Sequence, residues 1–113
     1  FIFASSTASS FESFAASALI SLGADYAFVA QETHHELRIS ARCRPELPAE
    51  RGANVASIME EVGRLIGGTG GGHAAAAGAN GPRRELLDDA LARCVELARS
   101  QMRASLLEKL NIS

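Results

Sequence analysis

The stretch of this sequence best suited to chemistry is GGTGGGHAAAAGAN, from Gly67 to Asn80, which places one histidine inside a run of glycines. It holds six of the chain's ten glycines. Glycine loses much backbone entropy on ordering and adds no apolar area, so a packed core does not favour this composition. Successive glycines can instead bring backbone N–H groups to one point, and an imidazole adds a further donor. The stretch therefore predicts a site for an anionic oxygen group, with phosphate or a phosphodiester as the natural ligand.

Two familiar glycine motifs do not fit this stretch. The P-loop pattern can be laid on Gly67 and Gly72, but His73 and Ala74 then replace the phosphate-binding lysine and the hydroxyl residue. A dinucleotide-binding pattern fits Gly70, Gly72 and Ala75 only after a predicted helix, whereas its glycines should follow a strand. A flexible linker is a third interpretation, but it would contain serines or charges and would not continue into four alanines.

A second candidate set lies on a predicted strand, LRISARCR, from Leu37 to Arg44. Its residues alternate, so Arg38, Ser40 and Arg42 fall on one face and the apolar residues on the other. Arg42 is the preferred phosphate ligand because a guanidinium can grip phosphate through two parallel hydrogen bonds. Ser40 and Arg38 are secondary candidates. The alternative for all three is the solvated face of an ordinary strand.

The remaining pattern indicates the elements that position these residues. Turn signals and apolar spacing predict a strand at 1–4, a helix from Ser9 to Leu22, strands at 26–30 and 37–44, a helix from Val55 to Ile66, a glycine loop and a final long helix after Pro82. The alanines after His73 fit a helical turn or a short strand equally well. This order predicts an α/β domain with a small mixed sheet of about four to five strands, flanked by helices and ending in a long C-terminal helix.

Composition limits the classes of function. The 113 residues suffice for one domain, and the formal net charge of −2 means that any site for a polyanion must be a local patch. No apolar run is long enough to cross a bilayer, so we expect no membrane partner. The two cysteines lack C-x-x-C spacing, and His34–His35 has no carboxylate cluster around it. We therefore expect no metal site in this chain and a cytoplasmic location.

The glycine–histidine stretch resembles a known family. Residues 70–79, GGGHAAAAGA, fit the G-G-G-H-x-x-A-A-G signature of the DHH-associated domain, the substrate-binding half of DHH-family phosphoesterases. The strand segment 38–42, RISAR, is similar to the R-x-S-x-R strand of that family, and the helix after Asn54 lies between the two motifs as expected. The resemblance covers residues 1–113 and is closest to the RecJ-like exonuclease and oligoribonuclease types, archaeal members in particular.

The resemblance implies a division of labour. Gly70, Gly71, Gly72 and His73 would hold one substrate phosphate, and Arg42 another phosphate or the terminal nucleotide. The scissile bond of single-stranded DNA or RNA, or of a short oligonucleotide, would then face Mn²⁺ or Mg²⁺ ions on a separate N-terminal DHH domain, which this chain lacks. The family thus implies that the chain binds without cutting, as part of a hydrolase acting as a 5′–3′ single-strand exonuclease or related phosphodiesterase.

Other functions stay open at the level of sequence. The final helix could serve as a dimerisation or protein-interaction module, contacting a second copy or a replication or repair partner, because it carries Leu106, Leu107 and Leu110 beyond the reach of one small sheet. Within the same superfamily, the domain could instead bind the substrate of a cyclic-dinucleotide phosphodiesterase or form a tRNA-synthetase editing appendage.

Overall fold

The computed structural model of the chain describes residues 1–8 and 12–111. Five strands form one mixed sheet, and four helices pack against it. The strands are β1 (Phe3–Thr7), β2 (Tyr26–Glu32), β3 (Leu37–Cys43), β4 (Thr69–Gly72) and β5 (Ala76–Gly81). The helices are α1 (Glu12–Ser21), α2 (Leu47–Arg51), α3 (Val55–Leu65) and α4 (Leu87–Leu110), with a 3₁₀ turn (Arg84–Leu86) before α4. The α/β class, the mixed sheet and the long last helix are therefore confirmed.

The sheet has the strand order β1-β2-β3-β5-β4. β1 runs parallel to β2, and the other three pairs are antiparallel. The parallel pair is joined through α1, whereas β2–β3 and β4–β5 are hairpins. β5 therefore lies between the predicted arginine strand and the glycine-rich strand β4, which forms one edge of the sheet.

Each face of the sheet has its own helical cover. The face of Tyr26, Phe28 and Ile39 packs against α3 and α4 to form the main core. The opposite face, which we call the α1 face, carries Ala27 and Val29 of β2, and these pack against Ala16 of α1. Apolar burial on both faces is the main source of stability for a domain of this size.

α3 begins as the sequence predicts. The Asn54 side chain accepts a hydrogen bond from the Ser57 backbone N–H at 3.2 Å, which satisfies one of the free donors at the start of the helix. Val55, Ile58, Met59 and Val62 form the buried stripe of α3. Gly67, with a φ of 81°, then ends the helix in the left-handed region.

Several sequence predictions differ from the structure. The segment from Gly67 to Gly72 is not wholly a loop, because Thr69–Gly72 is strand β4. The alanines after His73, which fitted a helical turn or a strand, belong to strand β5 (Ala76–Gly81). The short helix α2 was not predicted from the sequence. Apolar spacing predicted the first helix, yet two residues of that spacing, Phe14 of α1 and Leu22 just after it, are 78% and 84% exposed. The apolar residues of α1 surround the helix, so periodicity alone gave no reliable buried face.

Gly70 of β4 is explained by packing against α3. A Cβ built on Gly70 would lie 1.9 Å from the Met59 carbonyl oxygen, and one on Gly63 would lie 2.4 Å from the Thr69 carbonyl carbon. The strand and the helix thus meet backbone to backbone. The expectation that a packed core does not favour so glycine-rich a segment is therefore wrong.

Gly71 differs from its neighbours. Among the chain's ten glycines, it is the one whose added Cβ would meet nothing within 4 Å while its φ lies outside the left-handed region. Nothing in the described structure requires the side chain of residue 71 to be absent.

Within the two described ranges, none of the helices combines the length and the apolar composition that crossing a bilayer would require.

The Gly70 and Gly71 positions provide a matched stability test. We expect Gly70→Ala to lower the free energy of unfolding by about 3 kcal/mol, because its methyl group would overlap a helix carbonyl that cannot move aside easily. Gly71→Ala should change it by no more than about 0.5 kcal/mol, as at an open surface position. Urea unfolding of the two variants measures both values, and equal destabilisation would contradict the close α3–β4 contact.

Candidate nucleic-acid interface

Strand pairing brings the two predicted motifs onto one surface. Ser40 lies opposite Gly78, and Gly78 opposite Gly71, so these three residues form one row across the α1 face. A parallel row contains Arg42, opposite Ala76, and His73, which exchanges backbone hydrogen bonds with Ala76. Residues opposite each other in an antiparallel pair share a face. The register therefore places Arg42 and His73 two strands apart, roughly 10 Å, on the same side of the sheet.

The three glycines of the signature do not act as one unit. Gly71 lies on the α1 face, whereas Gly70 and Gly72 lie on the α3 side by alternation along β4. The backbone amides of an antiparallel edge strand alternate between the ladder and the outer edge, so they do not converge on one point. The predicted loop of convergent amides is thus replaced by a flat glycine strand. Phosphate binding by these residues stays a prediction.

The turn that carries His73 is tied to two other elements. The Ala74 carbonyl accepts hydrogen bonds from the Val55 backbone N–H at 2.9 Å and from the Cys43 thiol at 3.6 Å. Burial is the largest cause that raises the pKa of Cys43, to about 11, so the thiol keeps its proton at neutral pH and can donate. The start of α3 and the end of β3 therefore fix the turn between β4 and β5.

Of the three arginines between residues 38 and 44, two are balanced by carboxylates. Arg38 Nη2 lies 3.2 Å from Glu12 Oε1, and Arg44 pairs with both Asp25 and Glu46. These pairs reduce the charge that the two arginines could offer an anion.

Arg42 has no carboxylate partner in the described part of the chain. Its Nη2 donates to the Ser13 hydroxyl of α1 at 2.8 Å, and its Nε is buried without a hydrogen-bond acceptor among the described residues. A buried N–H without an acceptor is unfavourable, so this guanidinium is suited to an added oxygen ligand.

Two grooves follow the boundary between α1 and strands β3 and β5. The first, which we call the Arg42 groove, has a volume of about 200 Å³ and is lined by Ser17, Ile20, Arg42, Cys43, Pro45, Ala75 and Ala76. The second, the Asn80 groove, has a volume of about 490 Å³ and is lined by Glu12, Ser13, Glu36, Arg38, Ile39, Ser40, Gly78, Ala79 and Asn80. Arg38, Ser40 and Arg42 thus line grooves, whereas Gly70–Gly72 and His73 line neither of the two.

A divalent metal has no set of ligands among the described side chains. Across residues 1–8 and 12–111, no three His, Cys, Asp or Glu side chains come together as a set of ligands. His34 and His35 are exposed in the turn between β2 and β3, where the Thr33 hydroxyl accepts a hydrogen bond from the backbone N–H of His35.

Comparison with known structures supports the fold. The C-Ala domain of alanyl-tRNA synthetase from Aquifex aeolicus superposes with a TM-score of 0.66 at 17% identity, covering 89% of this chain and 88% of that one. A pGpG-specific phosphodiesterase from Vibrio cholerae aligns with a TM-score of 0.45 at 21% identity, covering 73% of this chain and 25% of that one. The first likeness shows a shared fold, whereas the TM-score of the second is too low to show one.

Sequence comparison identifies the family. An uncharacterized protein of Methanocaldococcus jannaschii is 41% identical over 76 residues, which are 66% of this chain and 22% of that protein. The family model described as the DHHA1 domain matches residues 10–100, which include both the arginine strand and the glycine–histidine segment. The chain belongs to the DHHA1 family, the DHH-associated domain of DHH phosphoesterases.

Proposed function

We propose that this domain binds the phosphates of single-stranded DNA or RNA, or of a short oligonucleotide, on the α1 face of its sheet. Arg42 and His73 make the main contacts, Gly71 lets the ligand approach the backbone, and Ser40 and Arg38 contact the part of the ligand that extends beyond the phosphate. The observation that carries the proposal is the Arg42 guanidinium, which no described carboxylate balances and whose buried Nε has no acceptor.

The sheet beside Arg42 supports this assignment. Gly71 and Gly78 are paired across β4 and β5, so neighbouring positions of the α1 face lack side chains. Gly78 is already close to the Ile39 carbonyl, at 3.3 Å from an added Cβ, but Gly71 has open space above it. A glycine that the fold does not require, on the same face as an arginine that no described carboxylate balances, is expected where a ligand lies against the main chain.

Cleavage is assigned to another part of the protein. No set of metal ligands comes together in the part of the chain that the structure describes, so in this proposal Mn²⁺ or Mg²⁺ ions belong to a DHH domain in cis, where they would activate the attacking water. The archaeal relative is matched over only 22% of its length, which leaves ample chain for such a domain. The whole protein would then be a hydrolase of the RecJ-like or oligoribonuclease type, and this domain would position the substrate.

The binding site can be tested on the isolated 113-residue chain with a single-stranded tetranucleotide. One charge-assisted contact to phosphate contributes about 1.5–3 kcal/mol, so Arg42→Ala should weaken binding roughly 10- to 100-fold, and His73→Ala should also weaken it. Gly71→Val should weaken binding while leaving stability nearly unchanged, because its side chain would cover the open sheet. Chemical-shift titration measures all three affinities.

Arg103→Ala is the matched control, because it removes the same charge from α4 on the other side of the sheet. Wild-type affinity should fall steeply with salt, as phosphate contacts require. Unchanged binding in both Arg42→Ala and His73→Ala would contradict the site. A cyclic dinucleotide, titrated in parallel, separates the alternative substrate: tighter binding of the cyclic ligand would favour a cyclic-dinucleotide phosphodiesterase as the parent enzyme.

A second candidate function, contact with a second copy of the chain, is favoured by the end of α4. Leu106, Leu107 and Leu110 are 47%, 53% and 76% exposed, and together they give the last turns of this helix an apolar surface. Clustered apolar exposure of this kind is typical of protein-contact sites. In this proposal, the ends of two α4 helices pack against each other.

Sedimentation tests this contact. We expect the average mass of the chain to rise with concentration, and Leu107→Glu to abolish the rise because it would bury a charge in the contact. Leu65→Glu, an exposed leucine on α3, is the control and should leave the rise intact. A monomer at every concentration would exclude self-association through α4.

A further inference from the structure

The Asn80 groove has a different character from the Arg42 groove, although the two adjoin. Ser13 lines the Asn80 groove, and its hydroxyl accepts the hydrogen bond from Arg42 Nη2. A ligand held at Arg42 can therefore extend past Ser13 into the larger groove. At about 490 Å³, that groove lies within the range of pockets that hold small organic ligands and is large enough for a nucleoside.

The charges of the Asn80 groove disfavour phosphate. Two carboxylates, Glu12 and Glu36, line it with one guanidinium, Arg38. Arg38 is engaged by Glu12 at 3.2 Å, and Glu36 has no cationic partner among the described residues. The groove is therefore net negative and repels a phosphodiester, so the part of an oligonucleotide that enters it must be uncharged and rich in hydrogen-bond donors.

The polar groups at the end of this groove match the edge of a nucleobase. Asn80 Nδ2 donates to Glu36 Oε2 at 3.1 Å, which places an amide and a carboxylate side by side. The second Nδ2 hydrogen and the other carboxylate oxygen can turn toward a ligand. A carboxylate accepts from amino groups of bases, and an amide can donate to a neighbouring ring nitrogen or carbonyl.

We propose that the Asn80 groove binds the nucleobase adjacent to the phosphate held by Arg42, and that it selects bases with amino groups, guanine above all. Guanine offers two adjacent donors, N1–H and the N2 amino group, to one carboxylate, and its O6 can accept from Asn80. Uracil and thymine carry no amino group and offer Glu36 one ring N–H. This inference rests on the proposed phosphate site, which supplies the anchor.

Mononucleotides test the base site separately from the phosphate site. The probes are GMP, UMP and ribose 5-phosphate, the last of which carries the phosphate without a base, and chemical-shift titration of the 113-residue chain gives each dissociation constant. GMP should bind about fivefold more tightly than UMP, the lower end expected for a two-point base contact at a solvent-open site. AMP and CMP, which have one amino group each, should fall between them.

Glu36→Gln should bring the affinity for GMP down to that for UMP while leaving ribose 5-phosphate unchanged, because the substitution removes an acceptor oxygen but keeps the shape. Asn80→Ala should also reduce the preference for guanine. Glu60→Gln is the control, since Glu60 is exposed on α3 and its loss changes the net charge equally. The unfolding midpoint of each variant confirms that the chain is folded.

The two proposals fail in different ways. Equal affinities for GMP and UMP in the unmodified chain, or a preference for guanine that survives Glu36→Gln, overturn the base site. Binding of ribose 5-phosphate that depends on Arg42 would then still support the phosphate site. Absence of binding by ribose 5-phosphate and by all four nucleotides overturns both.

Discussion

The contact of α3 with β4 is the constraint on which the rest of the site depends. Gly63 and Gly70 bring the helix and the strand together without side chains between them. This close contact packs α3 against the edge strand β4, and β5 pairs with both β4 and β3. The order of strands, in turn, places Arg42 and His73 on one face. A bulkier residue at either glycine would separate the helix from the strand and move the β4–β5 turn relative to Arg42.

In the proposed function, the two faces of the sheet divide stability from binding. The α3–α4 side contains the large buried residues, among them Tyr26, whose hydroxyl donates to Gln101 at 2.8 Å, and burial is the largest cause that raises the pKa of this phenol. The α1 face has mostly small residues in β2, β4 and β5, so it contributes less apolar area and leaves grooves beside α1. Substitutions on this face can alter ligand binding without removing much of the core.

The sequence predicted those parts of the fold in which side chains alternate or repeat. β3 alternates between arginines and apolar residues, and α3 has both its Asn54 cap and a helical stripe, so both were predicted close to their observed limits. β4 could not be recognised as a strand because glycines have no side-chain pattern. That Arg42 and His73 share a face could not be predicted from the sequence either, because it depends on the pairing of β3 with β5, which are far apart in the chain. The ion pair between Arg38 and Glu12 could not be predicted either, because it depends on where α1 packs. This pair leaves Arg42 as the arginine of β3 without a described carboxylate partner.

The positions where local rules are broken support the proposed ligand face. A buried Nε without an acceptor at Arg42 costs free energy, and a glycine at an open strand position, as at Gly71, weakens β4 without relieving any close contact. Gly70 and Gly63 also break the usual preference of strands and helices, but there the close backbone contact explains the choice. Since natural sequences are locally consistent except where function demands otherwise, the unexplained exceptions carry more information than the explained ones. Arg42 and Gly71 lie in adjacent rows of the same face, one contributing charge and the other open space, which is the combination that a bound phosphodiester needs.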